Sequence, residues 1–249
     1  MTCELFDKIC IEESEIRKIN ISEFSSYFEF YCNTLDALNR CKEISYQFVS
    51  TKSAANNYKL FSYLSVPKFI SVSKAAMELS LTGHPVETFM LTRVLLEIHH
   101  VTQYLYFHPE FISKYNSGAL KIDKIRNELY AEYESSAGGR LFGLLSDFSH
   151  STSELMFITL EFQNGEIQHP VLCRKSELID KALFGVANHS WGFYFLYRCF
   201  FSDIKMADDN ILQADEYLFN FDRVKRIFQT KNEEKLAKIC EHIKRLDNK

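Results

Sequence analysis

The sequence predicts a mainly α fold: a single domain over residues 1–249, built as one multi-helix bundle with one small β-hairpin at about 156–171. Only 8 glycines and 4 prolines occur in 249 residues, and so few turn-forming residues favour long helices over a sheet. Apolar residues also recur at helical spacing, as at Phe24, Phe28 and Leu35. The 46% hydrophobic content is enough to form a substantial core in a chain of this length.

Capping and helix-breaking residues divide the first third of the chain. A short amphipathic helix is expected over 3–20, followed by a long helix for which Ser22 is a plausible N-cap. A short helical segment then reaches Leu64. The segment Ser65–Pro67 is expected to cap and begin a new helix, which stops at Gly83.

The pair His84-Pro85 opens a further helix, because a proline in the first turn has its φ already set and loses no needed donor. This helix should run to about Phe107, where His108-Pro109 ends it. Three shorter helices are then expected over 109–118, 120–135 and 140–150.

One segment departs from the helical pattern. Met156, Ile158 and Leu160 alternate with polar residues, and Asn164-Gly165 is the strongest short-range signal for a hairpin turn. This segment therefore predicts the small hairpin.

Three helices are expected in the C-terminal part. Ser176 caps the first, which ends near Phe201, and the second covers about 209–229. Thr230 and Glu233 fit a capping box for the last helix, whose many charged side chains indicate an exposed surface.

Charge and hydropathy exclude several classes of protein. With a net charge of -4 and a pI near 6.1, the overall field does not favour tight nonspecific binding to nucleic acid or anionic lipid. The window "ALFGVANHSWGFYFLYRCFF" is as long as a membrane span, but Asn188, His189 and Arg198 interrupt it. A buried helix is the better interpretation, and no membrane association is expected.

The cysteines and the N-terminal residues indicate a cytoplasmic protein. The first ten residues are acidic where a signal peptide would be basic. Seven cysteines occur singly, without metal-ligand spacing, which is typical of reduced thiols in a cytosolic protein, several of them in the core. The motifs HExxH, GxSxG, GxGxxG and Walker A are absent, so no metal and no cofactor are expected.

A polar stripe interrupts the apolar helix that follows Pro85. At about 100° per residue, Arg93, Glu97, His100 and Tyr104 project to one side. In a functional interpretation, the Arg93 guanidinium binds a phosphate or carboxylate and His100 moves a proton. In a structural one, Arg93 and Glu97 form an i,i+4 pair at a helix interface and His100 makes a satisfied hydrogen bond.

Two further groups are candidates for a site. Ser146, Asp147 and His150 can face together on a helix. Asp147 or Ser146 would then fix the His150 tautomer, or His150 would interact with a helix C-terminus. The aromatic helix near residue 190 offers a ligand or base-stacking pocket, or only core packing. Its candidate ligand-binding residues are His189, Trp191, Tyr194 and Arg198.

The run "LTRVLLEIHH", followed later by "LLSDFSH", resembles a group of bacterial all-helical proteins of unknown function that share RxLLE and LSxxxH segments. More distantly it is similar to the HEPN superfamily of helical bundles. The resemblance matches Arg93 and Glu97 to the first segment and His150 to the second. The Arg-x(4 to 6)-His spacing of HEPN nucleases is met by Arg93 with His99 or His100, although Val94 stands where active members usually have a polar residue.

Two functions follow as hypotheses. The first is a noncatalytic bundle that binds a partner protein or a small ligand through its aromatic helix. The alternative is a HEPN-like, metal-independent RNase of a toxin or phage-defence system, with Arg93 holding the phosphate and His100 or His150 as general base. We expect Arg93, Glu97, His100 and His150 to converge in one cluster.

A homodimer is also expected. The 22 phenylalanines and 13 tyrosines exceed what one elongated bundle would bury, although a single large core would also accommodate them. HEPN-like proteins commonly place two Arg-His motifs at a shared dimer cleft, so the resemblance implies the same assembly.

Overall fold

The computed structural model describes residues 4–50, 57–132, 161–163, 166–168, 172–202, 208–230 and 232–247. Most of these residues are helical, which confirms the mainly α prediction. The helices are α1 Glu4–Glu23, α2 Ser25–Ser50, α3 Asn57–Leu81, α4 Pro85–Phe107, a 3-10 turn Pro109–Phe111, α5 Ile112–Asn116, α6 Ile122–Glu132, α7 Ser176–Phe200, α8 Asp209–Leu218, α9 Phe221–Phe228 and α10 Glu233–Asp247.

Two three-residue strands, β1 Glu161–Gln163 and β2 Glu166–Gln168, pair antiparallel with Phe162 opposite Ile167. They fall within the segment expected to form a hairpin. Their connection and the flanking parts of 156–171 lie outside the described residues, so the full hairpin remains a prediction.

Two predicted boundaries near the N-terminus are wrong. Helix α1 continues through Ser22, which is therefore not an N-cap, and the break comes at Phe24. Helix α3 passes through Pro67 without ending at Ser65. Val66 and Phe69, on either side of this proline, are fully buried, and we attribute the continuity of the helix to this packing.

The end of α3 and the start of α4 follow the prediction. Gly83 has a left-handed φ of 92° and donates to Ser80 O, while His84 N donates to Leu79 O at 2.8 Å. These two bonds form a Schellman motif, which satisfies carbonyls that the helix end leaves open. Helix α4 then begins at Pro85 and ends before His108, as expected.

Three details of the C-terminal prediction need correction. Ser176 is the first residue of α7, and Lys175 occupies the N-cap. The helix expected over 209–229 is divided into α8 and α9, because the Asn220 side chain accepts from Arg223 N and caps a new helix. The cap of α10 is Asn232, whose Oδ1 accepts from Lys235 N at 3.1 Å, so the capping box starting at Thr230 does not form.

Helix α7 lies at the centre of the main core and packs against α2, α3 and α4. The rings of Phe69 and Phe193 stack with centroids 4.0 Å apart. Cys41 of α2 and Cys240 of α10 are buried free thiols, whereas Cys10 of α1 is exposed. A second, smaller core lies between α4, α5 and α6.

The outer side of α1 remains apolar in several places. Four large apolar side chains of this helix are between 61% and 64% exposed: Leu5, Phe6, Ile11 and Ile19. Among the described helices, none has the length and apolar character needed to cross a bilayer.

Candidate functional site

The polar stripe of α4 makes separate contacts with different partners. Arg93 Nε donates to Glu97 Oε1 at 3.3 Å, which is the i,i+4 pair of the structural interpretation. The Tyr104 side chain is 1% exposed, and its hydroxyl donates to Glu128 Oε2 of α6 at 2.5 Å. Asp147 and His150 lie outside the described residues, so the convergence of His150 with Arg93, Glu97 and His100 remains a prediction.

His100 lies inside the fold beside α6. It is 8% exposed, and its ring meets Tyr130 edge to face with centroids 5.3 Å apart. Burial, the nearby His189 and Arg126 lower the pKa of His100 to about 4. Its Nδ1 has no hydrogen-bond partner among the described residues, so the expected hydrogen bond through this nitrogen is not formed there.

Two other buried histidines, His99 and His189, lie near His100. Burial, together with the smaller effects of His100 and His189, lowers the pKa of His99 to about 3. Burial lowers the pKa of His189 to about 4. His99 and His100 are adjacent helical residues and therefore project in different directions from α4. The sequence pattern gave no sign that His189 of α7 approaches both.

These values limit the chemistry available at His100. A general base works best when its pKa lies near the working pH, and a pKa of about 4 is roughly 3 units below neutrality. A buried imidazole is also shielded from a polyanionic substrate. Neither observation favours proton transfer at this position.

Arg198 of α7 is 3% exposed and lies in a network of buried polar groups. Its Nε donates to Asp215 Oδ2 at 2.8 Å, and its terminal nitrogen is paired with Asp247. The Tyr194 hydroxyl donates to the other oxygen of Asp215. Burial raises the pKa of Asp215 to about 6, against the opposing effect of Arg198. The network joins α7, α8 and α10, and it occupies Tyr194 and Arg198, two expected ligand-binding residues.

Trp191 lies where α7 faces α9 and α10. It is 8% exposed, its Nε1 donates to Leu218 O at 2.9 Å, and it lines a cavity of about 290 Å³. Its buried lining residues are all apolar, whereas its polar lining residues are half-buried or exposed and therefore mark its mouth. Its lining residues are Phe184, Asn188, Trp191, Val224, Phe228, Thr230, Asn232, Lys235, Leu236 and Ile239.

The chain matches no protein-family model, curated protein or solved structure. Neither the resemblance to the RxLLE group nor that to HEPN proteins therefore gains support from these comparisons. The function has to be inferred from the geometry of the described residues.

Two other cavities lie near the same helices. One of about 280 Å³ is lined by Asp215, Glu216, Lys244 and Asp247 together with apolar residues, and belongs to the Arg198 network. The other, of about 360 Å³, lies beside Arg223, which stacks over the Tyr217 ring at 3.8 Å. Within the described ranges, no group of three His, Cys, Asp or Glu side chains is arranged to hold a metal ion.

Of the described residues that were expected to bind a ligand, only Trp191 lines the cavity between α7, α9 and α10. Sequence reasoning missed its partners Asn188, Lys235 and Leu236. The signal for α10 was available, since Leu236, Cys240 and Ile243 recur at helical spacing and are buried. Nothing in that spacing showed which part of the core this face would cover.

Proposed function

We propose that this protein is a noncatalytic helical bundle that binds a small molecule in the cavity lined by Trp191. The observation that carries the proposal is the cavity itself, which combines an apolar interior with a few polar groups at its mouth. Small-molecule sites have this composition, with apolar walls for affinity and a few polar groups for orientation. The volume of about 290 Å³ is at the lower end of such sites and suits a small ligand.

The polar groups of α4 support the noncatalytic reading. Arg93 is already paired with Glu97, and a bound anion would have to compete with this carboxylate. His100 is buried and has a pKa of about 4. The alternative RNase function therefore receives no support from the described residues, although His150 lies outside them. Cytoplasmic location and homodimer formation remain part of the proposal.

The test of binding uses Trp191, which is the only tryptophan in the chain. N-phenyl-1-naphthylamine, an uncharged fluorescent probe, accepts energy from tryptophan and should quench Trp191 emission on binding in the cavity. The variant Asn188→Phe places a ring at the mouth and should abolish the transfer. Asn33→Phe, a matched change of a half-buried asparagine on α2, should leave it intact.

The binding proposal fails if the probe gives no transfer, or if Asn188→Phe leaves transfer unchanged. The RNase alternative is tested separately, by incubating purified protein with total RNA and by expressing it in growing cells. Cleavage or toxicity that disappears in both Arg93→Ala and His100→Ala would favour the RNase.

A further inference from the structure

We infer that the ligand of the Trp191 cavity is an organic anion: a ring system that fills the apolar interior and carries an acidic group at the mouth. This inference rests on the proposed binding function and adds the chemical class of the ligand. It depends on the charges that surround the mouth.

Lys235 provides the positive charge. It is an exposed residue of the first turns of α10 that lines the cavity, and its side chain forms no ion pair with any of the described residues. Its backbone N–H donates to Oδ1 of Asn232, the residue that caps the helix. The lysine is therefore held at the mouth by its backbone while its ammonium group stays available to a ligand.

No acidic residue is among the ten described residues that line the cavity. The two nearest carboxylates in the sequence are engaged elsewhere, since Glu233 pairs with Lys225 at 2.8 Å and Glu234 with Lys238 at 2.6 Å. The mouth therefore carries a positive charge in a chain whose net charge is -4. An anion gains from this field and a cation is repelled by it.

Asn188 of α7 supplies the second polar contact with the cavity. It is a half-buried residue of α7, and its amide makes no hydrogen bond with the other described residues. An amide N–H donor and an ammonium group together match the acceptor oxygens of a carboxylate or sulfonate.

A pair of probes that differ by one charged group tests the inference. N-phenyl-1-naphthylamine and 1-anilinonaphthalene-8-sulfonate share the same ring skeleton, and only the second is an anion. We expect the sulfonate to bind more tightly, by about two- to fivefold, as an exposed ion pair allows. Added salt should reduce this preference.

The variant Lys235→Gln should abolish the preference for the sulfonate and leave binding of the neutral probe unchanged. Lys181→Gln is the matched control, because Lys181 is an exposed lysine of α7 that does not line the cavity and forms no ion pair with the described residues. Equal affinities for the two probes, or a preference that survives Lys235→Gln, would overturn the inference while leaving the binding function intact. If neither probe reports on Trp191, the proposed function fails, and the inference fails with it.

Discussion

Gly192 allows α4 and α7 to approach closely. A Cβ at this position would lie 3.0 Å from His99 Cε1, a distance that side chains avoid. Gly185, also on α7, has ordinary space, because its Cβ would meet Thr92 Cγ2 at 3.6 Å. The same substitution at these two glycines therefore separates helix propensity from packing.

We expect Gly185→Ala to raise the free energy of unfolding by up to about 1 kcal/mol, since alanine is the better helix former. Gly192→Ala should lower it by about 1–3 kcal/mol, because the new methyl group overpacks the contact with His99. Urea denaturation of both variants measures the difference. Equal effects of the two substitutions would show that the close contact at Gly192 carries no cost.

The three buried histidines predict the dependence of stability on pH. The pKa values of His99, His100 and His189 lie at about 3, 4 and 4 in the folded chain, against about 6.5 when unfolded. Between about pH 4 and 6.5 the unfolded chain therefore binds more protons. The contribution of these histidines to the free energy of unfolding is fully present above pH 6.5. It falls as the pH decreases, by about 1.4 kcal/mol per pH unit for each histidine.

Asp215 acts in the opposite direction. Its folded pKa of about 6 lies above the ordinary value of 3.8, so its protonation favours the folded chain as the pH falls below 6. Asp215 therefore offsets part of the loss of stability that the histidines cause. Urea unfolding at several pH values between 4.5 and 7 should show a net loss of stability, with a shallower slope in His99→Leu. An unchanged slope in this variant would exclude His99 from the effect.

At the scale of secondary-structure elements, the ion pairs of Arg198 connect the C-terminal helix α10 to α7 and α8. Arg198→Met would leave Asp215 buried without its cation, and we expect a loss of about 3–5 kcal/mol in the free energy of unfolding. Arg245→Gln is the control, because Arg245 is 76% exposed and pairs only with its helix neighbour Glu241 among the described residues. Its effect should stay within about 0.5 kcal/mol. Thermal unfolding followed by circular dichroism measures both.

The elements differ in how far the sequence determines them. The bounds of α4 could be predicted because His84-Pro85 and His108-Pro109 act locally, through fixed φ and a missing donor. Pro67 has the same local effect, but burial of Val66 and Phe69 opposes it. The division between α8 and α9 was missed because an asparagine cap, with no glycine or proline, makes the break.

The candidate site was less predictable than the helices. Trp191 was expected from the aromatic character of α7, but its cavity requires Lys235, more than forty residues later, to lie beside Asn188. Likewise, the partner of Arg198 is Asp215 of another helix. Contacts of this kind depend on how helices pack against each other, which the periodicity of one helix does not determine.

For the whole molecule, the exposed apolar residues of α1 support the proposed homodimer. Large apolar side chains clustered on one element are typical of an interaction surface. Light scattering coupled to size exclusion should give twice the chain mass of 29.2 kDa. The double variant Phe6→Glu, Ile11→Glu should give a single chain, and Tyr46→Glu, at an exposed aromatic residue of α2, should not. A single-chain mass for the unaltered protein across micromolar concentrations would rule out the dimer.

The buried thiols of Cys41 and Cys240 can report how often the helices that carry them open locally. A thiol reacts as its thiolate, and burial raises the pKa of Cys41 to about 12 and also raises that of Cys240. Each thiol is therefore alkylated only when its own helix exposes it, whereas Cys10 reacts at once. If α10 opens alone, Cys240 will be alkylated sooner than Cys41. The ratio of the two alkylation rates then measures how often α10 opens relative to unfolding of the core.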